Sequence, residues 1–154
     1  MIKLSIIPMI LGLTLIDLIS KSYLQELLKG KGRMGFLPKI LNLVYVENRG
    51  AAFSIFEGKS FLLIGVAIIF LIVILYVIFT KKLSIAYINV LTLISAGCIG
   101  NLYDRISLGY VRDFFEFDFI KFPVFNVADI YITLAALYLI ILVFTDRRDN
   151  ANNK

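Results

Sequence analysis

The sequence predicts an all-α integral membrane protein, a four-transmembrane-helix bundle with a small β-rich element at the membrane surface. Of its 154 residues, 60% are hydrophobic, and the mean hydropathy of +0.89 lies far above that of ordinary soluble domains. Four apolar stretches reach the length of about 20 residues that a hydrocarbon core of about 30 Å requires. Because so short a chain cannot bury this much apolar surface by itself, lipid must cover the remainder. We therefore predict one membrane-embedded domain over residues 1–154.

One tight hairpin and two longer loops separate the four predicted spans. The spans cover residues 4–24, 61–79, 83–103 and 124–144. Only Asp17 and Lys21 interrupt the first span, whereas the second carries no charge. Because the first stretch continues past Asp17 without a small-residue cleavage site, we interpret it as a retained span and not as a signal peptide. Residues 80–82 form the hairpin between the second and third spans.

The two longer loops cover residues 25–60 and 104–123, and the first of them is more than a linker. Residues 40–47 are rich in β-branched and aromatic side chains, and residues 48–50 follow as a turn signal. Residues 51–56 continue as a second apolar piece. We predict a small strand-rich element here, lying on the membrane surface.

The charges leave the orientation in the membrane open. An even number of spans places both termini on one side, together with Lys81 and Lys82. The longer loops carry more Lys and Arg than the terminal side, which opposes cytoplasmic termini. The positive-inside rule is strongest for short loops close to span ends, which favours Lys81–Lys82 and Arg147–Arg148 as cytoplasmic anchors.

The composition excludes several kinds of chemistry. The chain has no histidine and one cysteine, so Ser-His-Asp, Cys-His and His-based zinc sites are excluded. Cys98 lies in an apolar run, where we interpret it as a packing residue. The net charge is +5, and the basic residues lie at helix ends and in residues 29–33. Anionic lipid headgroups are the commoner partner of basic residues in such positions. No basic face forms, so we predict no nucleic-acid binding.

Polar residues cluster where the first and third spans end and the fourth begins, which is one face of the membrane. Asp17 and Lys21 are four residues apart and can pair, and Asn126 and Asp129 share one face of a helix. Three more polar residues close the third span: Asn101, Asp104 and Arg105. One such residue could simply anchor a helix among the headgroups. This many on one side of a small bundle favours a functional site.

If the protein performs acid–base chemistry, carboxylates must carry it. Two neighbouring acids cannot both ionise, so one stays protonated and donates to a scissile carbonyl while the other takes a proton from water. The candidates are Asp104, Asp113 and Asp129. Asp104 adjoins Arg105, which favours a charged, structural acid. We predict Asp113 and Asp129 as the pair; Arg112 precedes Asp113 and points the other way if the segment is extended.

Five segments occur in an order that matches a known family. They are DLISK (17–21), NRGAAF (48–53), GNLYDR (100–105), VRDF (111–114) and FNVAD (125–129). They resemble the five motif boxes of the bacterial lipoprotein signal peptidases (signal peptidase II) and extend from the first span to the fourth. The resemblance implies an aspartic endopeptidase of the bacterial inner membrane that uses no metal and no cofactor. It also implies cytoplasmic termini and an extracytoplasmic β-rich cradle with the active site near it.

The resemblance further implies a substrate and roles for residues. Family members cleave diacylglyceryl-modified prolipoproteins on the N-terminal side of the lipidated cysteine, and their catalytic pair falls on Asp113 and Asp129. Other motif residues would bind substrate or support the site: Asp17, Lys21, Asn48, Gly50, Asn101, Asp104, Arg105, Asn126 and Ala128. Arg112 stands where the family has an apolar residue, and the segment between the two acids is slightly short. We expect a monomer surrounded by membrane lipids.

Two other classes of protein compete with this interpretation. A small transporter or channel subunit would also carry charges in its spans, but it needs a continuous polar path, and the second span has no polar residue beyond Tyr76. A non-catalytic assembly factor would explain the apolar surface but not two converging acids. Incubation of the purified protein with a lipidated precursor peptide distinguishes all three.

Overall fold

The computed structural model describes residues 2–50 and 56–152, with the side chains of 5–50 and 56–146. Four helices and three strands follow one another along the chain. They are α1 (Ile2–Leu28), β1 (Met34–Leu37), β2 (Leu41–Asn48), α2 (Ser60–Thr80), α3 (Ile85–Leu108), β3 (Val111–Phe117) and α4 (Val127–Asn152). Residues 51–55, which carry most of the predicted second apolar piece and the motif positions after Gly50, lie outside the described residues.

The predicted four-helix membrane bundle is confirmed, with α3 at its centre. Each of the four helices is long and apolar enough to cross a bilayer. Half of the apolar window of α3 is buried, against 11% to 28% for the other three helices. Its core residues Ile88 and Ile94 pack with Ile10 of α1, Ile74 of α2 and Ala135 of α4. The outer helices therefore present most of their apolar side chains to lipid.

Helix ends differ from the predicted span ends. Apolarity stops at the first charged residues, whereas the backbone of α3 continues to Leu108 and stops at Gly109. Gly109 adopts the left-handed conformation (φ 84°), which favours glycine, and donates its N–H to the carbonyl of Arg105. Asn101, Asp104 and Arg105 thus lie within α3, not at its end. Similarly, α4 begins at Val127 and not at residue 124, because Phe125 still pairs with Phe115 as an isolated bridge.

The predicted strand-rich element is a three-stranded antiparallel sheet in the order β1-β2-β3. Its first two strands come from the first long loop, as expected, but the third comes from the second loop. In the register of β2 and β3, Asn48 lies opposite Val111 and Val46 opposite Asp113. Phe114, on β3, is fully buried and packs with Leu28 at the end of α1. The sheet is thereby seated on the end of α1, with Asp113 held close to the helices.

Two glycines of α3 allow close helix approach. A Cβ at Gly97 would lie 2.6 Å from the carbonyl oxygen of Ala128, and a Cβ at Gly100 would overlap Oδ2 of Asp17. Small residues at such positions let helices in a membrane pack backbone to backbone. As a result Asp17 of α1 reaches the N-terminus of α4, where its Oδ1 accepts the N–H of Ala128 at 2.9 Å.

Candidate active site

The position of Asp129 follows from the local sequence at the start of α4. Asn126 precedes the helix, and its Oδ1 accepts the N–H of Asp129 at 3.0 Å. In return, Oδ2 of Asp129 accepts the N–H of Asn126 at 3.1 Å. This is a reciprocal capping box, which satisfies two N–H groups at the helix start. The spacing of three residues that the sequence suggested is thus confirmed, and it fixes Asp129 in the first turn.

Asp113 lies on β3 with only 1% of its surface exposed. Its Oδ1 accepts a hydrogen bond of 2.7 Å from Nδ2 of Asn126, and its Oδ2 accepts one of 2.9 Å from Nδ2 of Asn48. Burial and the nearby charge of Asp129 raise the pKa of Asp113 to about 7, although the two amide donors favour the charged form. At neutral pH, Asp113 is therefore poised to hold a proton.

Two asparagines connect the two aspartates. Asn101 donates from Nδ2 to Oδ1 of Asp129 at 2.8 Å. Its Oδ1 accepts from Nδ2 of Asn126 at 3.0 Å, and the same nitrogen donates to Asp113. Because Asn101 is on α3 and Asn126 precedes α4, this chain fixes the acids of β3 and α4 relative to each other.

A cluster of buried charges lies behind the asparagines. The predicted pair of Asp17 and Lys21 is confirmed: Nζ of Lys21 lies 2.8 Å from Oδ2 of Asp17. Nζ also donates to Oδ1 of Asn101 at 2.9 Å and lies 3.6 Å from Oδ2 of Asp104. Asp104 in turn pairs with Arg112 at 2.8 Å. The cluster contains two acids and two bases, so its charges balance.

The acids open into a cleft of about 420 Å³. Its polar side is formed by Asp113, Asp129, Asn48, Asn101 and Arg105. The rest of the lining is mostly apolar and continues onto α4: Val111, Phe117, Phe122, Pro123, Val124, Phe125, Ile130, Ile132, Thr133 and Leu134. A few converging polar groups in an apolar cleft are typical of a site that orients a largely apolar ligand.

The predicted site residues fall into two layers. Five of them line the cleft, as given above. Gly50 is also buried; its carbonyl accepts a hydrogen bond of 3.1 Å from Arg105, and its N–H donates to Oδ1 of Asn48. The rest lie behind the cleft, with no more than 1% of their surface exposed: Asp17, Lys21, Asp104, Asn126 and Ala128. These five residues do not line the cleft.

Arg112 points away from Asp113, as expected for consecutive residues of a strand. Asp104, however, accepts its hydrogen bonds from Arg112 and not from its neighbour Arg105, which turns toward the cleft. Ser22 and Gln25, which no pattern in the sequence indicated, both accept hydrogen bonds from Arg112.

The part of the cleft lining that lies on α4 was not predicted from the sequence either. Ile132 and Thr133 lie three and four residues after Asp129, so the helical period could have placed them on the same face.

Among the side chains that the structure describes, no group of three or more His, Cys, Asp or Glu is placed to hold a metal ion.

This fold and site define a multi-pass membrane protein with a pair of carboxylates in an apolar cleft. Comparison with known proteins gives the family. Residues 9–145 match the model of the signal peptidase (SPase) II family. The chain therefore belongs to that family and is a peptidase of the bacterial cytoplasmic membrane. The transporter and assembly-factor alternatives are not favoured.

Individual relatives agree with this assignment. The lipoprotein signal peptidase of Lactococcus lactis subsp. lactis (strain IL1403) is 41% identical over 110 residues, which are 71% of this chain and 73% of the relative. That of Streptococcus pneumoniae (strain ATCC BAA-255 / R6) is 39% identical over 146 residues, 92% of this chain and 91% of the relative. A solved structure of a bacterial membrane enzyme superposes with a TM-score of 0.83 at 26% identity, covering 97% of this chain and 92% of that one.

Proposed function

We propose that this protein is an aspartic endopeptidase that removes the signal peptide from diacylglyceryl-modified prolipoproteins, cleaving on the N-terminal side of the lipidated cysteine. The observation that carries the proposal is the pair of Asp113 and Asp129 in one cleft, joined through two asparagine amides. The family and the named relatives support the substrate class.

In the proposed reaction, Asp113 begins protonated and Asp129 begins ionised. Asp129 takes a proton from water as the water oxygen bonds to the scissile carbonyl carbon, and Asp113 gives its proton to the carbonyl oxygen. The tetrahedral intermediate then collapses: the C–N bond breaks, the nitrogen takes a proton from Asp129, and Asp113 regains its proton from the hydroxyl. Both acids return to their starting states.

Burial sets this division of labour, because amide donors favour the charged form of both acids. Asn101 donates to Asp129, which stabilises an ionised carboxylate. Asp113 is the more deeply buried acid, and burial disfavours its charged form. This assigns the shared proton to Asp113 in the free enzyme.

The position of the cleft explains why the substrate would need to be lipidated. Asp129 is in the first turn of a span-capable segment, Val127–Asp146. The lining of the cleft continues onto Ile130 and Leu134, both of which have exposed side chains on α4. A scissile bond must therefore be delivered to the membrane boundary. Each acyl CH₂ moved into hydrocarbon contributes about 0.8 kcal/mol, so two long chains hold a peptide at that depth.

We further propose that both termini are cytoplasmic, that the sheet and cleft face the extracytoplasmic side, and that the enzyme acts as a monomer. The hairpin with Lys81 and Lys82 supports this orientation, because short basic loops stay in the cytoplasm. The hairpin precedes the N-terminal end of α3, whereas the strands of the sheet follow the C-terminal ends of α1 and α3. The sheet therefore lies on the side of the membrane opposite the hairpin.

Lipidated and unlipidated versions of one precursor peptide, offered at equal concentration to the purified enzyme in liposomes, test the proposal. We expect cleavage of the lipidated peptide before its modified cysteine, and little or no cleavage of the other. Mass spectrometry of the products gives both the rate and the cleaved bond. Equal rates for the two peptides, or a cut elsewhere, would contradict the proposed substrate.

A further inference from the structure

We propose that Arg112 is a positioning residue: by occupying Asp104, it leaves Lys21 to orient the amide that holds the proposed base. This inference rests on the proposed function, because the reaction it serves is the cleavage by Asp113 and Asp129. Arg112 itself lies outside the cleft lining and touches neither acid with its side chain.

The first step is the complete engagement of Asp104 by Arg112. Oδ1 of Asp104 accepts from Nη2 of Arg112 at 2.8 Å. Oδ2 accepts from Nε at 3.2 Å and from the backbone N–H of Arg112 at 3.1 Å. Asp104 is fully buried, where a carboxylate without a partner is costly. Nη1 of Arg112 is held in turn by Gln25 at 3.2 Å.

The second step is the effect on Lys21. Its ammonium group has three protons and faces three oxygens: Asn101 at 2.9 Å, Asp17 at 2.8 Å and Asp104 at 3.6 Å. Asp104 is the most distant of the three, which fits a carboxylate that Arg112 already satisfies. Without Arg112, the buried Asp104 would keep only Lys21 as a cationic partner and would draw the ammonium toward it.

The third step links Lys21 to the reacting groups. An asparagine amide can sit in either of two orientations, and a cation beside one end selects the orientation that places oxygen there. Lys21 thus holds Oδ1 of Asn101 and turns its Nδ2 toward Asp129. If Lys21 moves toward Asp104, the hydrogen bond that stabilises the ionised Asp129 weakens.

The matched experiment removes the arginine with and without its acid. Arg112→Met should lower kcat about tenfold or more, the effect of a weakened hydrogen bond to a charged group, with little change in KM. The double variant Arg112→Met/Asp104→Asn removes one charge of each sign and should recover most of the lost kcat. Arg112→Lys keeps the charge and should retain more activity than Arg112→Met. Arg33→Met, which removes an exposed ion-paired arginine near the sheet, is the control for loss of any arginine.

A second readout does not depend on activity. In ¹⁵N-asparagine-labelled enzyme, the side-chain amide signal of Asn101, assigned from its loss in Asn101→Ser, should shift in Arg112→Met and return in the double variant. If the wild-type enzyme cleaves no lipidated precursor, the proposed function is wrong. The Asn101 signal would still show whether Arg112 affects the orientation of the Asn101 amide.

Any of three results would overturn the positioning role. The Asn101 signal could be the same in Arg112→Met as in wild type, the double variant could be no more active than Arg112→Met, or Arg112→Lys could be as impaired as Arg112→Met. If Arg112→Met does not fold, the comparison of Arg112→Lys and the double variant with wild type decides in the same way.

Discussion

Replacing Asp113 by Asn should make the protein progressively more stable than the wild type as the pH rises. The pKa of Asp113 is raised from its ordinary value of 3.8 to about 7, by burial and by the charge of Asp129. A carboxyl group with a raised pKa binds its proton more tightly in the folded state. Its contribution to stability is therefore full below pH 3.8 and is lost as the pH rises to about 7. Asn has no proton to lose.

The size of the effect follows from the two pKa values. One pKa unit corresponds to about 1.4 kcal/mol. Between pH 5 and the folded pKa of about 7, the wild type loses about 2 kcal/mol that the Asn variant keeps, and the total loss approaches about 3 kcal/mol by pH 9. Asn at this position also leaves Asn48 or Asn126 without an acceptor, at a cost of about 1–3 kcal/mol. That cost is the same at every pH, so it does not affect the pH dependence.

The assay is the free energy of unfolding, measured by SDS titration in mixed micelles at pH 5, 6, 7 and 9. The difference between Asp113→Asn and wild type should grow by about 2 kcal/mol from pH 5 to pH 7 and level off at about 3 kcal/mol by pH 9. Asp118→Asn, which changes a more exposed acid after β3, controls for the substitution type. The same difference at pH 5 and pH 9 would refute the raised pKa and with it the choice of Asp113 as the acid.

Three further predictions concern activity and packing. Turnover should fall as the pH rises above about 7, because Asp113 then loses the proton it must donate; a pH–rate profile that is flat to pH 9 would contradict this. Cleavage should survive EDTA and thiol- or serine-directed reagents, because a chain without histidine and with one cysteine has no usual ligand set for catalytic zinc; loss of activity in EDTA that a divalent metal restores would refute it. Gly100→Ala should cost about 1–3 kcal/mol of stability and most of the activity, because the new Cβ overlaps Asp17. Gly65→Ala is the control and should be harmless, because its Cβ would meet no atom within 4 Å. Equal effects of the two substitutions on stability and turnover would contradict the close helix contact.

Local patterns in the sequence predicted much of this molecule. Hydropathy was enough for the four spans, because lipid imposes length and apolarity on each helix separately. The Asp17–Lys21 pair and the proximity of Asn126 to Asp129 followed from helical spacing, which needs no knowledge of the remaining fold, whereas the cap that Asn126 forms before α4 was not predicted.

Features that depend on tertiary structure could not be predicted in this way. β3 pairs with β2 across two membrane spans of intervening chain, and no local signal indicates that register. Likewise, the nearest cation to Asp104 in sequence is Arg105, but α3 and β3 bring Arg112 to it instead. The helix ends also differed, because α3 ends at a glycine and not where apolarity ends.

The most direct test of the central claim compares carboxylate variants in one cleavage assay. Wild type, Asp113→Asn, Asp129→Asn, Asp104→Asn and Asp118→Asn are purified from a host that lacks its own enzyme of this kind, and each is incubated with the lipidated precursor. We predict no detectable product from the first two variants, some turnover from Asp104→Asn, and wild-type turnover from Asp118→Asn, with all five proteins folded in the membrane. Normal cleavage by Asp129→Asn or Asp113→Asn would contradict a mechanism that rests on these two acids.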